Sequence, residues 1–365
     1  MSKHNPDNER IKRRYLIFQK EARQQSEATI DSIAKSLSRF EAYTKHRAFK
    51  AFHHEQAVAF KRHLREQKNE RTSAPLSKST LKTTLNQLRT FFQWLSQQPG
   101  YKSRLEYGDA EYFNLSEKDS RVATAPRPKK IPTLEQIQSV IGNMPVQSDI
   151  ELRNRALLCF TLLTGARDAA IASFSLKHVD LEVGAVFQDA REVNTKFSKT
   201  FTTYFLPVGD EIKSIFKDWV RHLRRDLLWG ESDPLFPSTE IVLRGNAEFA
   251  AGGLSRKHWK TASPIRAIFK SAFEAADLPY YNPHSFRHTL VRLAEQWCKT
   301  PEEFKAWSQN LGHESVMTTF ASYGEVSEAR QAVILSRGTP VNCDTEVDLR
   351  EGLRRLLDDS TGSGS

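Results

Sequence analysis

Cysteine is scarce in this chain of 365 residues: Cys159, Cys298 and Cys343 are odd in number, far apart and without any paired spacing. Such usage argues against a disulfide framework or a Cys-ligated zinc site and fits a reducing cytoplasm. Long apolar runs are missing as well. No stretch approaches the roughly 20 residues of a membrane span, and the polar N-terminus carries no signal-peptide pattern, so a soluble intracellular protein is expected. There is no internal repeat and no long low-complexity segment. Strand signals are nearly absent, with a convincing alternation at one place only, so any sheet must be small. What is present is an excess of positive charge: Lys plus Arg outnumber Asp plus Glu by 54 to 44, a formal net charge of +10 that points to a polyanionic partner. The length is too great for one typical core, and 39% hydrophobic residues, with 22 Phe and 6 Trp, suffice for two.

The first 25 residues read as a basic lead-in helix or arm with an apolar patch at Tyr15, Leu16 and Phe18. Ile30, Ile33, Leu37 and Phe40 then recur at helical spacing behind the N-cap candidates Ser26 and Thr29. A third helix carries Ala57, Phe60 and Leu64, with Lys61, Arg62, His63 and Arg65 on its other faces. After a polar loop from Lys68 to Ser79, Leu81, Leu85, Leu88, Phe92 and Leu95 alternate spacings of four and three until Pro99 and Gly100. The expected first unit, residues 1–118, is all helical with Lys- and Arg-rich faces. Residues 119–132, with three prolines and little apolar content, read as a semi-rigid strap that would carry Lys129 and Lys130 beside a polyanion.

The second unit, residues 133–335, opens on Thr133 and Gln136 at capping-box spacing. An apolar helix from about Ile150 to Leu163 ends at Gly165, placing Arg167 at the start of the next short helix. The single strand-like stretch covers Val179 to Phe187 and Thr200 to Leu206, with Lys196 and Lys199 in its hairpin. Asp210 is expected to cap a long helix with a core-like apolar stripe. Ser263–Pro264, Pro283 and Thr300–Pro301 start three more helices. In the second of these His284 and Arg287 share a face, while Leu290, Val291, Ala294 and Trp297 supply the core. His313 and Tyr323 follow in LGHESVMTTFASYG. Residues 336–365 form a tail with an amphipathic patch, able to dock on a neighbouring subunit or on its own domain. The fold class is mainly α with a small antiparallel β-sheet (α+β), in two domains.

Taken singly these residues are ordinary; as a set they supply what attack on a phosphodiester by a side-chain oxygen needs. Charge builds up on a five-coordinate phosphorus, so cations must already be in place, and two arginines, Arg167 and Arg287, offer planar permanent charge that fits phosphate oxygens. A phenol near pKa 10 is a weak nucleophile at about pH 7, but nearby cations favour its ionised form and His284 can take its proton. Lys199, with Lys196 as rival, can protonate the departing oxygen. His313 can add a hydrogen bond. His178 and His258 read as structural, and Asp168 as the partner of a neighbouring base.

This ordered set resembles the tyrosine recombinase (phage integrase) family: TGAR, the SKT before a strand ending in LP, HSFRH, and LGHE followed by TTFASYG. The resemblance covers residues 133 to about 330, and less specifically residues 26 to 98, which are similar to the family's helical, SAM-like core-binding domain. It implies a clamp of two domains around double-stranded DNA, with catalytic roles for Arg167, Lys199, His284, Arg287, His313 and the nucleophile Tyr323. It further implies a covalent 3′-phosphotyrosine intermediate, no ATP, metal or other cofactor, and a homo-tetramer on two recombination sites with an accessory directionality factor as a further partner. A bacterial, nucleoid-associated recombinase of a mobile element is the expected setting. Three features depart from the family pattern. Ala170 stands where an acid is common, Tyr323 lies ten positions after His313, one more than usual, and about 25 residues precede the core-binding helices, too few for a separate arm-binding domain. The competing expectations are a type IB topoisomerase and a non-catalytic sequence-specific DNA-binding protein.

Overall fold

The computed structural model describes residues 4–69, 73–125, 130–243 and 249–313. Lys129, Tyr323, Cys343 and the C-terminal tail lie outside the described residues. The chain divides into two compact units, 1–127 and 128–365.

The first unit holds α1 (Pro6–Ile17), α2 (Glu27–Tyr43), α3 (His54–Glu66), α4 (Lys78–Leu95) and α5 (Glu117–Thr124). Its core is aromatic: the Phe40 ring sits within 6.5 Å of Phe49, Phe52, Phe60, Phe92 and Phe113, and each such fully buried side chain stabilises by about 1.5–3 kcal/mol. The basic lead-in is a docked helix. Tyr15 packs on Phe91 and Trp94, and buried Asn8 accepts from Phe49 N at 2.9 Å and donates to Glu41 at 3.1 Å. Residues 119–124, expected to begin the strap, instead complete α5. Ser116 caps it, and Asp119 pairs with Arg65 at 2.7 Å and Lys78 at 3.0 Å, which holds this short polar helix on α3 and α4.

The second unit begins with α6 (Leu134–Asn143) behind the Thr133/Gln136 capping box, then α7 (Asp149–Thr164) and α8 (Asp168–Ile171). Strands β1 (Val179–Asp180), β2 (Ala185–Gln188) and β3 (Phe201–Tyr204) form one antiparallel sheet in the order β1-β2-β3. There follow α9 (Asp210–Arg221), the hairpin β4 (Ser238–Leu243) and β5 (Phe249–Ser255), and then α10 (Ser263–Ala275), α11 (Pro283–Trp297) and α12 (Pro301–Asn310). The C-terminal half of α7 is buried, with Leu157, Leu158, Phe160 and Leu162 all at 0% exposure, and α6, α9, α11, β3 and β5 pack around this central helix.

Three details differ from expectation. The β4–β5 hairpin is a second sheet; its FAAGGLS strand lacks alternation, and Gly252 is needed because a Cβ there would lie 2.5 Å from Val242. Gly209, not Asp210, is the N-cap of α9, and Asp210 is its first residue, where its charge suits the helix N-terminus. Trp297 is 57% exposed at the end of α11 rather than part of the core face.

Candidate active site

The site is assembled where three chain segments meet at the end of α7. Gly165 closes that helix in the left-handed conformation (φ 60°), and a Cβ there would lie 2.7 Å from Leu311 Cδ2 and 3.1 Å from Leu290 Cδ1. A glycine is required both by the turn and by the close approach of two other segments. The turn leaves Arg167 as N-cap of α8, half-buried.

Arg287 joins the segments. It is 4% exposed, and its guanidinium donates to the carbonyls of Gly165 and Leu311, the latter at 2.6 Å. Its Nε finds no acceptor, and no carboxylate pairs with it among the described residues. Burial, and then the nearby Arg167, push its pKa down to about 9, so it is still a cation at neutral pH. A buried charge with spare donors and a like-charged neighbour is costly unless an anion joins it.

His313 completes the cluster. Its backbone N–H bonds Ser308 O at 3.2 Å just after α12, and Gly312 before it has φ 67° with the Phe201 ring against its Cα. Burial first, then Arg287, Arg167, His284 and His288, hold the His313 imidazole down to about 3. It is therefore neutral at pH 7 and can offer one ring N–H. His284 is exposed on the first turn of α11, with His288 one turn on and their rings edge to face at 5.1 Å. Arg167 and His284 also line one cavity of about 440 Å³ with Asp168, Arg266 and Tyr280. Asp168 pairs there with Arg266 at 2.7 Å, as expected of an acid beside a base. A larger cavity of about 900 Å³, on the outer side of the three-stranded sheet, contains none of the candidate residues.

The structure thus brings together Arg167, His284, Arg287 and His313. Lys196 and Lys199 are exposed between β2 and β3, with Lys199 two residues before Phe201, and Lys130 is exposed before α6. His178 is structural: it accepts from Ser175 N at 2.9 Å and contacts Glu192 at 3.0 Å, while His258 meets Ser175 Oγ at 3.3 Å. Burial pushes the Cys159 thiol up to about 12, an inert core group. No group of three or more His, Cys, Asp or Glu among the described residues is arranged to hold a metal ion.

Two contributors escaped sequence reasoning. His288 was visible as the last letter of HSFRH, but only the folded helix shows that it helps to lower the His313 pKa. Asn310 bonds the edge of β3 across 106 positions of sequence, and no local signal marks it.

Known proteins offer a comparison. Residues 132–330, more than half of the chain, match the Phage integrase family, and residues 13–99 match the Phage integrase, N-terminal SAM-like domain. Tyrosine recombinase XerC of Halalkalibacterium halodurans is 23% identical over 310 residues, covering 84% of this chain and 89% of its own length. A solved lambda integrase dimer bound to a COC′ core site superposes with a TM-score of 0.58 at 11% identity, covering 92% of this chain and 99% of that one. A post-cleavage complex of XerH site-specific recombinase with palindromic difH substrate gives 0.58 at 20% identity, covering 87% and 82%. These structures share the mainly helical fold with small antiparallel sheets.

Proposed function

The chain belongs to the phage integrase family, and from that premise we propose that this tyrosine recombinase cuts and rejoins DNA strands through a covalent 3′-phosphotyrosine on Tyr323. The observation that carries the reading is the carboxylate-free cation of Arg287, buried beside Arg167 and His313 with an unused donor. Such a group suits a ligand that brings its own negative charge, and a DNA phosphate does so.

In the proposed reaction the Tyr323 Oη attacks phosphorus, forming the Tyr–O–P bond at the 3′ side while the P–O5′ bond breaks. His284 receives the phenol proton and Lys199 protonates the departing O5′. Arg167 and Arg287 hold the non-bridging oxygens as charge accumulates, and neutral His313 donates a hydrogen bond to one of them. Preorganised donors of this kind contribute about 10²–10³-fold each. Rejoining is the reverse attack by a 5′ hydroxyl from the partner duplex. The energy of the phosphodiester is kept in the tyrosyl ester, so no step needs an outside energy source. Lys129, Lys130 and Lys196 are proposed phosphate contacts, which add affinity without reading bases. Strand exchange between two sites is proposed to take a tetramer of the chain.

A nicked suicide duplex carrying the site recovered from cellular recombination junctions tests the reading. A covalent protein–DNA adduct is expected, lost in Tyr323→Phe. An adduct that persists in that variant assigns the nucleophile elsewhere, and no adduct on the recovered site removes the cleavage mechanism. Relaxation of a supercoiled plasmid bearing one site, without pairing of two, would move the activity to the type IB topoisomerase class. Mass measurement of the DNA-bound species checks the tetramer, and the junctions themselves report whether a mobile element is integrated or excised.

A further inference from the structure

The end of α12 is fastened to the edge of β3 through one residue, Asn310. Asn310 Oδ1 accepts from the Tyr204 backbone N–H at 2.6 Å, and its Nδ2 donates to the Tyr204 carbonyl at 2.9 Å. The primary amide thereby supplies the donor and acceptor that a residue of a neighbouring antiparallel strand would supply. β3 lies at the end of the sheet order β1-β2-β3, so this pairing caps its outer edge. The Asn310 carbonyl also accepts from Thr203 Oγ1 at 3.1 Å, and that hydroxyl accepts from buried Gln188 Nε2 at 2.8 Å. Two residues on, Gly312 lies under the Phe201 ring, where a Cβ would come within 2.5 Å.

The same short segment faces the arginine on its other side, since the Leu311 carbonyl accepts from Arg287 at 2.6 Å. Residues 310–312 are therefore a node: β3 is bound on one flank, Arg287 on the other, and His313 follows directly. Lys199 precedes Phe201 by two residues and is exposed, so its position follows that of β3. We infer that Asn310 is a positioning residue, which sets the reach of Lys199 to the departing oxygen by pinning β3 to the loop that carries His313. The inference rests on the reading of Lys199 as the proton donor. Only an amide of this length offers both halves of the pairing. Aspartate would set a carboxylate oxygen against the Tyr204 carbonyl, and leucine would leave both backbone groups unpaired.

The test compares single-turnover cleavage of an ordinary duplex with one carrying a 5′-bridging sulfur at the scissile phosphate. A thiolate departs without a proton, because a thiol is far more acidic than a sugar hydroxyl, so loss of the acid harms only the oxygen substrate. Lys199→Ala is expected to slow the oxygen substrate by about 10²–10⁴-fold, the usual worth of a general acid, and to be restored by sulfur. Asn310→Asp and Asn310→Leu are expected to slow it by about 10-fold or more and to be restored likewise, because they act through the same acid. On a Lys199→Ala background they should add nothing, since groups acting as one unit are not additive. If the Asn310 variants are equally slow on both substrates, or add fully to Lys199→Ala, or cleave at the parent rate, the inference falls while Lys199 stands. If Lys199→Ala itself is not restored by sulfur, the reading of Lys199 falls instead. Thermal unfolding of both variants identifies a failure to fold, and the isosteric Asn310→Asp carries the test if Asn310→Leu is lost.

Discussion

Arg153 and Arg287 are both buried arginines of the second unit, 2% and 4% exposed, and their surroundings differ in kind. Arg153 donates to Pro237 O at 2.8 Å, to Thr239 Oγ1 at 3.0 Å and through two nitrogens to Asn154 Oδ1, and its guanidinium lies 5.1 Å from the Trp259 ring centroid. It ties α7 to β4 with four of its five N–H donors engaged and no nitrogen left without an acceptor. Arg287 spends its donors on two carbonyls that belong to the site, keeps Nε unpaired, and faces Arg167 and His313. Burial lowers both pKa values, to about 10 and about 9, but only at Arg287 does a second cation add to the effect. Burial and pKa alone therefore do not separate a structural cation from the one proposed to receive an anion. The number of donors left over does: every nitrogen of Arg153 has an acceptor, whereas Nε of Arg287 has none among the described residues.

Exchanging the residues tests that contrast most strongly. Arg287→Gln is expected to reduce suicide-duplex cleavage by about 10²–10³-fold or more. Arg153→Gln should leave cleavage per folded molecule near the parent rate and cost about 2–3 kcal/mol of stability, as buried charge-assisted hydrogen bonds are lost. Equal loss of cleavage in both variants would erase the distinction. Next in size is an anion effect. Inorganic phosphate at about 100 times its Kd should add about 2.7 kcal/mol of stability to the DNA-free protein. That gain, read as a rise in Tm, should vanish in Arg287→Gln and persist in Arg153→Gln.

Gly312→Ala is expected to cost about 1–3 kcal/mol, because the new methyl must both adopt a left-handed backbone and displace Phe201. Its Tm should fall by about 2–4 °C for each kcal/mol in a unit of this size. A further contrast concerns pH dependence. With His313 held near pKa 3 in the folded chain and near 6.5 in the unfolded one, the unfolded state binds more protons between these values. The DNA-free protein should therefore lose stability as pH falls from about 6.5 toward 3, and His313→Asn should lessen that loss. His222 has the opposite sign. Burial lowers its pKa, but Asp226 and Asp149 raise it by more, so its contribution is present below about pH 6.5 and lost as pH rises through its raised folded value. Thermal unfolding across pH in His313→Asn and His222→Asn separates the two.

Much of this was legible before folding was considered. The capping box at Thr133 and Gln136, the glycine stop at Gly165 and the proline start at Pro283 lie within a few residues of the groups they organise, and each appears where local rules place it. The β4–β5 hairpin was not legible, because its small residues fit against Val242 rather than alternating toward a core. Helix α5 was not either, since a polar octapeptide becomes a helix here through Asp119 and its two basic partners on other helices.

The amino-acid sequence by itself determined most of the helices, several of their caps, the excess of positive charge and the ordered residue types that resemble the phage integrase family. Those follow from backbone geometry and from side-chain chemistry acting over a turn or two of helix. Tertiary structure alone decided that Arg287, and not Arg153, keeps a nitrogen without an acceptor among the described residues. Its carbonyl acceptors lie 122 and 24 positions away along the chain, and desolvation and like-charge repulsion depend on what surrounds a group in space. The clip made by Asn310 belongs to the same class, because its partner strand is 106 residues distant and meets it only when β3 and α12 pack together.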